Sequence, residues 1–146
     1  VKIMANVATI TELDHEHFRK HFSADRGDVV DSVSLSVVYT ARNVGAVAIA
    51  ALSSSGFTAK MTARHRSSCP VFVFTPSKSV AQKTAMMFGC EPIVLNKLND
   101  LSEATKLIKK SLVENKFAKK GDRIVISASV PFGIVKTTNC LLVETI

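Results

Sequence analysis

From Ala46 onward the chain alternates short apolar runs with segments of helical spacing. Ala46 to Leu52 is an unbroken apolar run of strand length, followed by Ser53-Ser54-Ser55-Gly56-Phe57 and a helical stretch from Thr58 to Arg66. Pro70 precedes a second apolar run, Val71 to Phe74, and Thr75-Pro76-Ser77 opens another helical stretch that reaches Phe88 and stops at Gly89. Pro92 to Leu95 reads as a third short strand. Leu101, Thr105, Ile108 and Leu112 mark a long amphipathic helix, terminated by Gly121-Asp122. Arg123 to Ala128 and Asn139 to Thr145 are the last two strands, and the connection between them is too short for a crossover helix, which makes that pair antiparallel. Strands apolar on both faces, alternating with amphipathic helices, specify an α/β fold. The expectation is an open, mostly parallel sheet of about five strands with helices on both faces and an antiparallel last strand.

The first third is less regular. Ile3, Val7, Ile10 and Leu13 keep a helical period, which dissolves in the polar run from Asp14 to His21. Ser23 to Asp28 reads as a loop. Between Val30 and Val44 apolar residues recur every three or four positions, yet Val33, Leu35 and Val37 also alternate, so helix and strand both fit. For a helix, Asp31 or Ser32 is the expected cap and Gly45 the terminator.

Composition narrows the classes. With 146 residues the chain is long enough for one domain that needs neither disulfides nor metal to hold together. At 47% hydrophobic and 21% charged it is too apolar for a disordered segment. No apolar run is long enough to span a bilayer, and the start lacks a signal-peptide layout. A cytoplasmic location without membrane attachment is expected, and the missing initial Met suggests a piece of a longer protein. Cys69, Cys90 and Cys140 are widely spaced and read as free thiols in a reducing compartment. The net charge of +7 includes many lysines in one helical stretch, Lys97, Lys106, Lys109, Lys110, Lys116, Lys119 and Lys120, which reads as a solvated face. Aromatic residues do not interleave with the basic ones, which disfavours nucleic acid as a partner.

The strongest local chemistry is strand, Ser53-Ser54-Ser55-Gly56-Phe57-Thr58, helix. In open α/β sheets ligands gather where strand ends feed helix N-termini, whose amides favour an anion. The hydroxyls add donors, Gly56 lets the backbone curl, and Lys60, Arg64 and Arg66 would keep the potential positive. The plainer reading is that the serines cap a helix. A second donor-rich loop runs from Ser127 to Asn139, with Lys136 able to face the same anion; as a plain hairpin loop it would need no ligand. His17 and His21, with His15 and Glu16, have metal-like spacing but no third ligand, so no metal is expected. No nucleophile elbow or carboxylate pair occurs, and no catalytic residue is assigned.

Taken in order, these pieces resemble the C-terminal domain of pyruvate kinase. Leu52-Ser53-Ser54-Ser55-Gly56-Phe57-Thr58-Ala59 is similar to that family's phosphate loop. Ala63-Arg64-His65-Arg66 with Pro70, Gly89-Cys90-Glu91-Pro92, Gly121-Asp122-Arg123-Ile124-Val125 and Thr137-Thr138-Asn139 follow in the family's spacing. The resemblance makes residues 31–46 the family's first helix. It makes 1–22 a linker helix from a barrel domain and 23–146 the regulatory domain. It implies a parent enzyme that moves a phosphoryl group from phosphoenolpyruvate to ADP with magnesium and potassium, those residues lying outside this chain, which itself would need no cofactor. It further implies a sugar-phosphate or nucleotide effector, cradled by Ser53, Ser54, Ser55, Gly56, Phe57 and Thr58. Pro131, Phe132, Gly133, Lys136 and Thr137 would close over it. Contact with the parent's barrel is implied too, as is two-fold pairing through Cys140, Leu141, Leu142 and Val143 within a tetramer. Two other classes stay open: a stand-alone phosphate- or nucleotide-binding domain, and a basic interaction module.

Overall fold

The computed structural model describes residues 1–13, 27–95, 100–131 and 137–146. The histidine-rich group His15, Glu16, His17 and His21, together with Lys97, Phe132, Gly133 and Lys136, lies outside the described residues. Helices α1 (Lys2–Glu12) and α2 (Val29–Asn43) precede β1 (Ala48–Leu52), α3 (Phe57–Arg64), β2 (Val71–Thr75) and α4 (Lys78–Thr84). There follow β3 (Cys90–Val94), α5 (Leu101–Glu114), β4 (Arg123–Ala128) and β5 (Cys140–Thr145). The strands form one sheet in the order β3-β2-β1-β4-β5. All neighbours are parallel except β4 and β5, which run antiparallel as their short connection requires.

The stretch that fitted either helix or strand is helical. Val37 and Val38 are both buried, together with Ser34 and Ala41, and strand alternation cannot bury two neighbours on one face. The cap is neither Asp31 nor Ser32. Asp28 takes that place, its carboxylate accepting from the amides of Val30 at 2.9 Å and Asp31 at 3.2 Å. The far end closes on Gly45, at φ 63, whose amide donates to Arg42 while that of Ala46 donates to Ala41. The other boundaries move by a few residues: α3 stops at Arg64, α4 at Thr84, and β3 begins at Cys90.

Both sheet faces are covered. On one, α5 lays Ala104, Ile108 and Leu112 over Ala48, Ala50, Phe72, Phe74, Ile124 and Ile126. On the other, α2 and α3 lay Val37, Ala41, Ala59 and Ala63 over Ile49, Ala51, Val71, Val73 and Val125. The alternation of Ala48, Ala50 and Leu52 with Ile49 and Ala51 thus serves two cores, which is why the run has no polar position. Helix α1 differs: Ile3, Val7 and Ile10 share a face and are 79%, 58% and 69% exposed.

Candidate functional site

The strand order reverses at β1. Its chain continues into β2 on one side, while β4 lies on the other, so the carboxyl ends of β1 and β4 flank a switch point where such sheets bind ligands. Both donor-rich loops leave from there. The sheet ladder runs on into the first of them, the Ser53 amide donating to Phe74 at 3.1 Å. Ser53 is buried, Ser54 and Ser55 are exposed, and Thr58 is buried again in the first turn of α3.

Gly56 decides the shape of this loop. It holds φ 83, and a Cβ there would lie 3.2 Å from Thr84 Cγ2 and 3.4 Å from Val80 Cγ1. Backbone conformation and the close approach of α4 therefore both call for glycine. As N-cap residue it supplies no side-chain acceptor. Asp28, Ser77 and Asp100 cap α2, α4 and α5 with side chains, so α3 is the uncapped helix of the four packed on the sheet. The serines do not cap it, and its first-turn amides have no side-chain cap.

The second loop is joined to the first. Thr138 Oγ1 and Thr58 Oγ1 share a buried hydrogen bond of 3.0 Å. Asn139 clamps the loop's base, accepting from the Val130 amide at 2.8 Å and donating to the Val130 carbonyl at 2.7 Å. Pro131 is exposed beyond that clamp and Thr137 half-buried. Ser127 leaves the loop altogether: it lies within β4, fully buried. It follows Val125 by two and so faces the α2–α3 side. Ser34 and Ser127 carry the buried hydroxyls without a partner among the described residues.

The basic residues divide. Lys60 is exposed one turn into α3. Arg64 and Arg66 stand at the opposite end of that helix, roughly 10 Å from the loop at 1.5 Å per residue. They do not supply the loop's positive surround. Arg64 meets Asp31 at 3.1 Å, and Arg66 stacks over the Phe88 ring at 4.8 Å. Asp31 is fully buried and also pairs with His65 Nε2 at 2.9 Å, which pins α2 to the end of α3. No spacing rule connects position 31 with 65 or 58 with 138. The sequence signal for them was only polar residues inside otherwise apolar patterns.

The Cys69 and Cys90 thiols are not poised for chemistry. Burial pushes the Cys90 thiol up to about 11, and burial also raises Cys69, outweighing the hydrogen bond from Ser67. Among the described residues, no three His, Cys, Asp or Glu side chains come together as a metal set.

A family model described as pyruvate kinase, alpha/beta domain, matches residues 31–144. The chain is 31% identical to a pyruvate kinase of Sporosarcina psychrophila, over all of its own length and 25% of that protein. It is 30% identical to one of Clostridium acetobutylicum, again over its full length and 32% of the relative. It thus spans about a quarter to a third of the length of these curated relatives. Its fold is similar to that of a pyruvate kinase from Cryptosporidium parvum, with a TM-score of 0.73 and 21% identity over 81% of this chain and 23% of that one.

Proposed function

Since the chain belongs to the pyruvate kinase family through its alpha/beta domain, we propose that it is the regulatory part of such an enzyme and binds a phosphorylated effector at the β1–α3 loop. The observation that carries this reading is the uncapped N-terminus of α3 behind Gly56, at the point where the strand order reverses. Ser53, Ser54, Ser55 and Thr58 offer hydroxyls to a phosphate, the first-turn amides offer N–H donors, and Phe57 offers apolar contact. The second loop, from Pro131 to Thr137, covers the rest of the effector. Its base is held by Asn139 and by the Thr58–Thr138 hydrogen bond.

In this reading phosphoryl transfer from phosphoenolpyruvate to ADP, with magnesium and potassium, belongs to parts of the parent enzyme outside these residues. The exposed apolar face of α1, Ile3, Val7 and Ile10, is where the parent's barrel domain docks. Strand β5 is an edge of the sheet, with Cys140, Leu141 and Leu142 half-buried and no lysine or proline along it, and it pairs with a second copy across a two-fold axis. Coupling between effector and assembly then requires that the effector bind two quaternary states with different strength.

Isothermal titration of the folded chain with sugar phosphates and AMP tests the effector site. Saturable binding of at least one, abolished by Gly56→Val, supports the reading; no heat from any of them contradicts it. Sedimentation tests the edge, where a monomer at high concentration would count against β5 pairing.

A further inference from the structure

Helix α5 ends in a turn whose geometry favours glycine, and the sequence puts a lysine there. The Lys116 amide donates to Val113 at 3.0 Å and the Phe117 amide to Leu112 at 2.9 Å. These are the two bonds by which a helix closes on a left-handed residue. Lys116 accordingly holds φ 60, while the matching position after α2 is filled by Gly45 at φ 63. A side chain in that region is strained, and strain of this kind concentrates where a side chain is needed for binding.

The strained lysine borders an open surface hollow of about 430 Å³, lined by Val113, Phe117 and Ala118 together with Lys116, Lys119, Lys120 and Asp122. Phe117 is 43% exposed while its ring packs against Phe72 at 4.5 Å between centroids, so the core holds it and the rest of it fronts the hollow. Lys109 and Lys110 are neutralised by Glu144 and Glu114. Among the described residues, Lys116, Lys119 and Lys120 have no such carboxylate. Asp122, on the wall of the hollow, accepts from the Lys119 backbone amide at 2.9 Å. Three like charges within five residues repel one another, and a bound polyanion removes that repulsion.

We propose that this open hollow is a binding site for a small polyanion carrying a flat apolar body, the chemistry of a nucleoside polyphosphate. The lysines, mobile point charges, take the phosphates. Val113 and Phe117 take the base. The site opens at the amino end of β4, whereas the β1–α3 loop lies at the carboxyl ends of the strands, so the two are independent.

The test uses ATP, with inorganic tripolyphosphate and adenosine as its two halves, read by calorimetry and by backbone amide shifts on the whole chain. The expected result is shifts at Val113 and from Phe117 to Asp122, with ATP bound more tightly than either half. Lys116→Gly combined with Lys119→Ala and Lys120→Ala weakens ATP by about tenfold. Lys116→Gly alone raises Tm and still weakens binding; a lysine that served only to end the helix would raise Tm with binding unchanged. The proposal is overturned by absence of binding, by shifts confined to Ser53–Thr58, by unchanged affinity in the triple variant, or by tripolyphosphate binding as well as ATP.

Discussion

The hydroxyls of Thr58 and Thr138, 80 positions apart, are 3.0 Å from each other in a buried contact. This is where the first turn of α3 meets the return of the second loop to β5, so one hydrogen bond sets the distance between the two halves of the proposed site. Thr58→Val or Thr138→Val leaves the partner hydroxyl buried and unmatched, a cost of about 1–2 kcal/mol each, while the double variant costs less than the sum. Denaturant unfolding of the two single variants and the double checks the coupling, and effector affinity falls in all three.

Gly56 is held both by its positive φ and by the wall that α4 sets against it. Gly56→Ala forces a side chain into the left-handed region and against Thr84 Cγ2, costing about 1–3 kcal/mol. Thermal unfolding reads the loss. Phosphate binding is weakened further than stability alone accounts for, because the loop backbone itself moves.

Asp31 lies at the meeting of α2 and α3, with His65 and Arg64 on its carboxylate. Asp31→Asn removes the charge while keeping the shape, and destabilises by about 2 kcal/mol; Asp31→Ala costs more, since His65 then loses its buried acceptor. Urea unfolding gives both values, and an Asp31→Asn variant as stable as the native chain would show that shape, rather than the charge of the carboxylate, holds the helices together.

The Cys90 thiol ionises at about 11 in the folded chain against an ordinary value of 9.0. Between those values the unfolded chain has released a proton that the folded chain retains. The contribution to stability is therefore full below about pH 9 and is lost as the pH rises through 11. Stability measured across that window falls with pH, and Cys90→Ala makes the fall shallower. Thiol labelling under native conditions at pH 8 reaches half-buried Cys140 before buried Cys90.

The sheet was legible because its strands obey a local rule. Ala46 to Leu52 and Val71 to Phe74 are apolar runs of strand length, and a run without polar positions belongs to a strand covered on both faces. Gly56 was legible for a similar reason, since a glycine between a strand and a helix marks a turn. The contacts that tie elements together were not. Asp31 looked like a helix cap because capping needs only local spacing, whereas its true partners sit 33 and 34 residues away and are brought near by the α2–α3 packing. Arg64 and Arg66 looked like neighbours of the serine loop because sequence nearness hides the length of a helix. Lys116 looked like one lysine among many; only its φ of 60 sets it apart.

A regulatory domain of this kind must bind phosphate at the β1–α3 loop. The direct measurement is an amide-shift titration of the chain with fructose 1,6-bisphosphate, alongside inorganic phosphate. The predicted result is saturable shifts centred on Ser53 to Ala59 and reaching Thr137–Asn139, lost in Gly56→Val. Shifts spread over the exposed lysines with none at that loop, in a chain confirmed as folded, would contradict it.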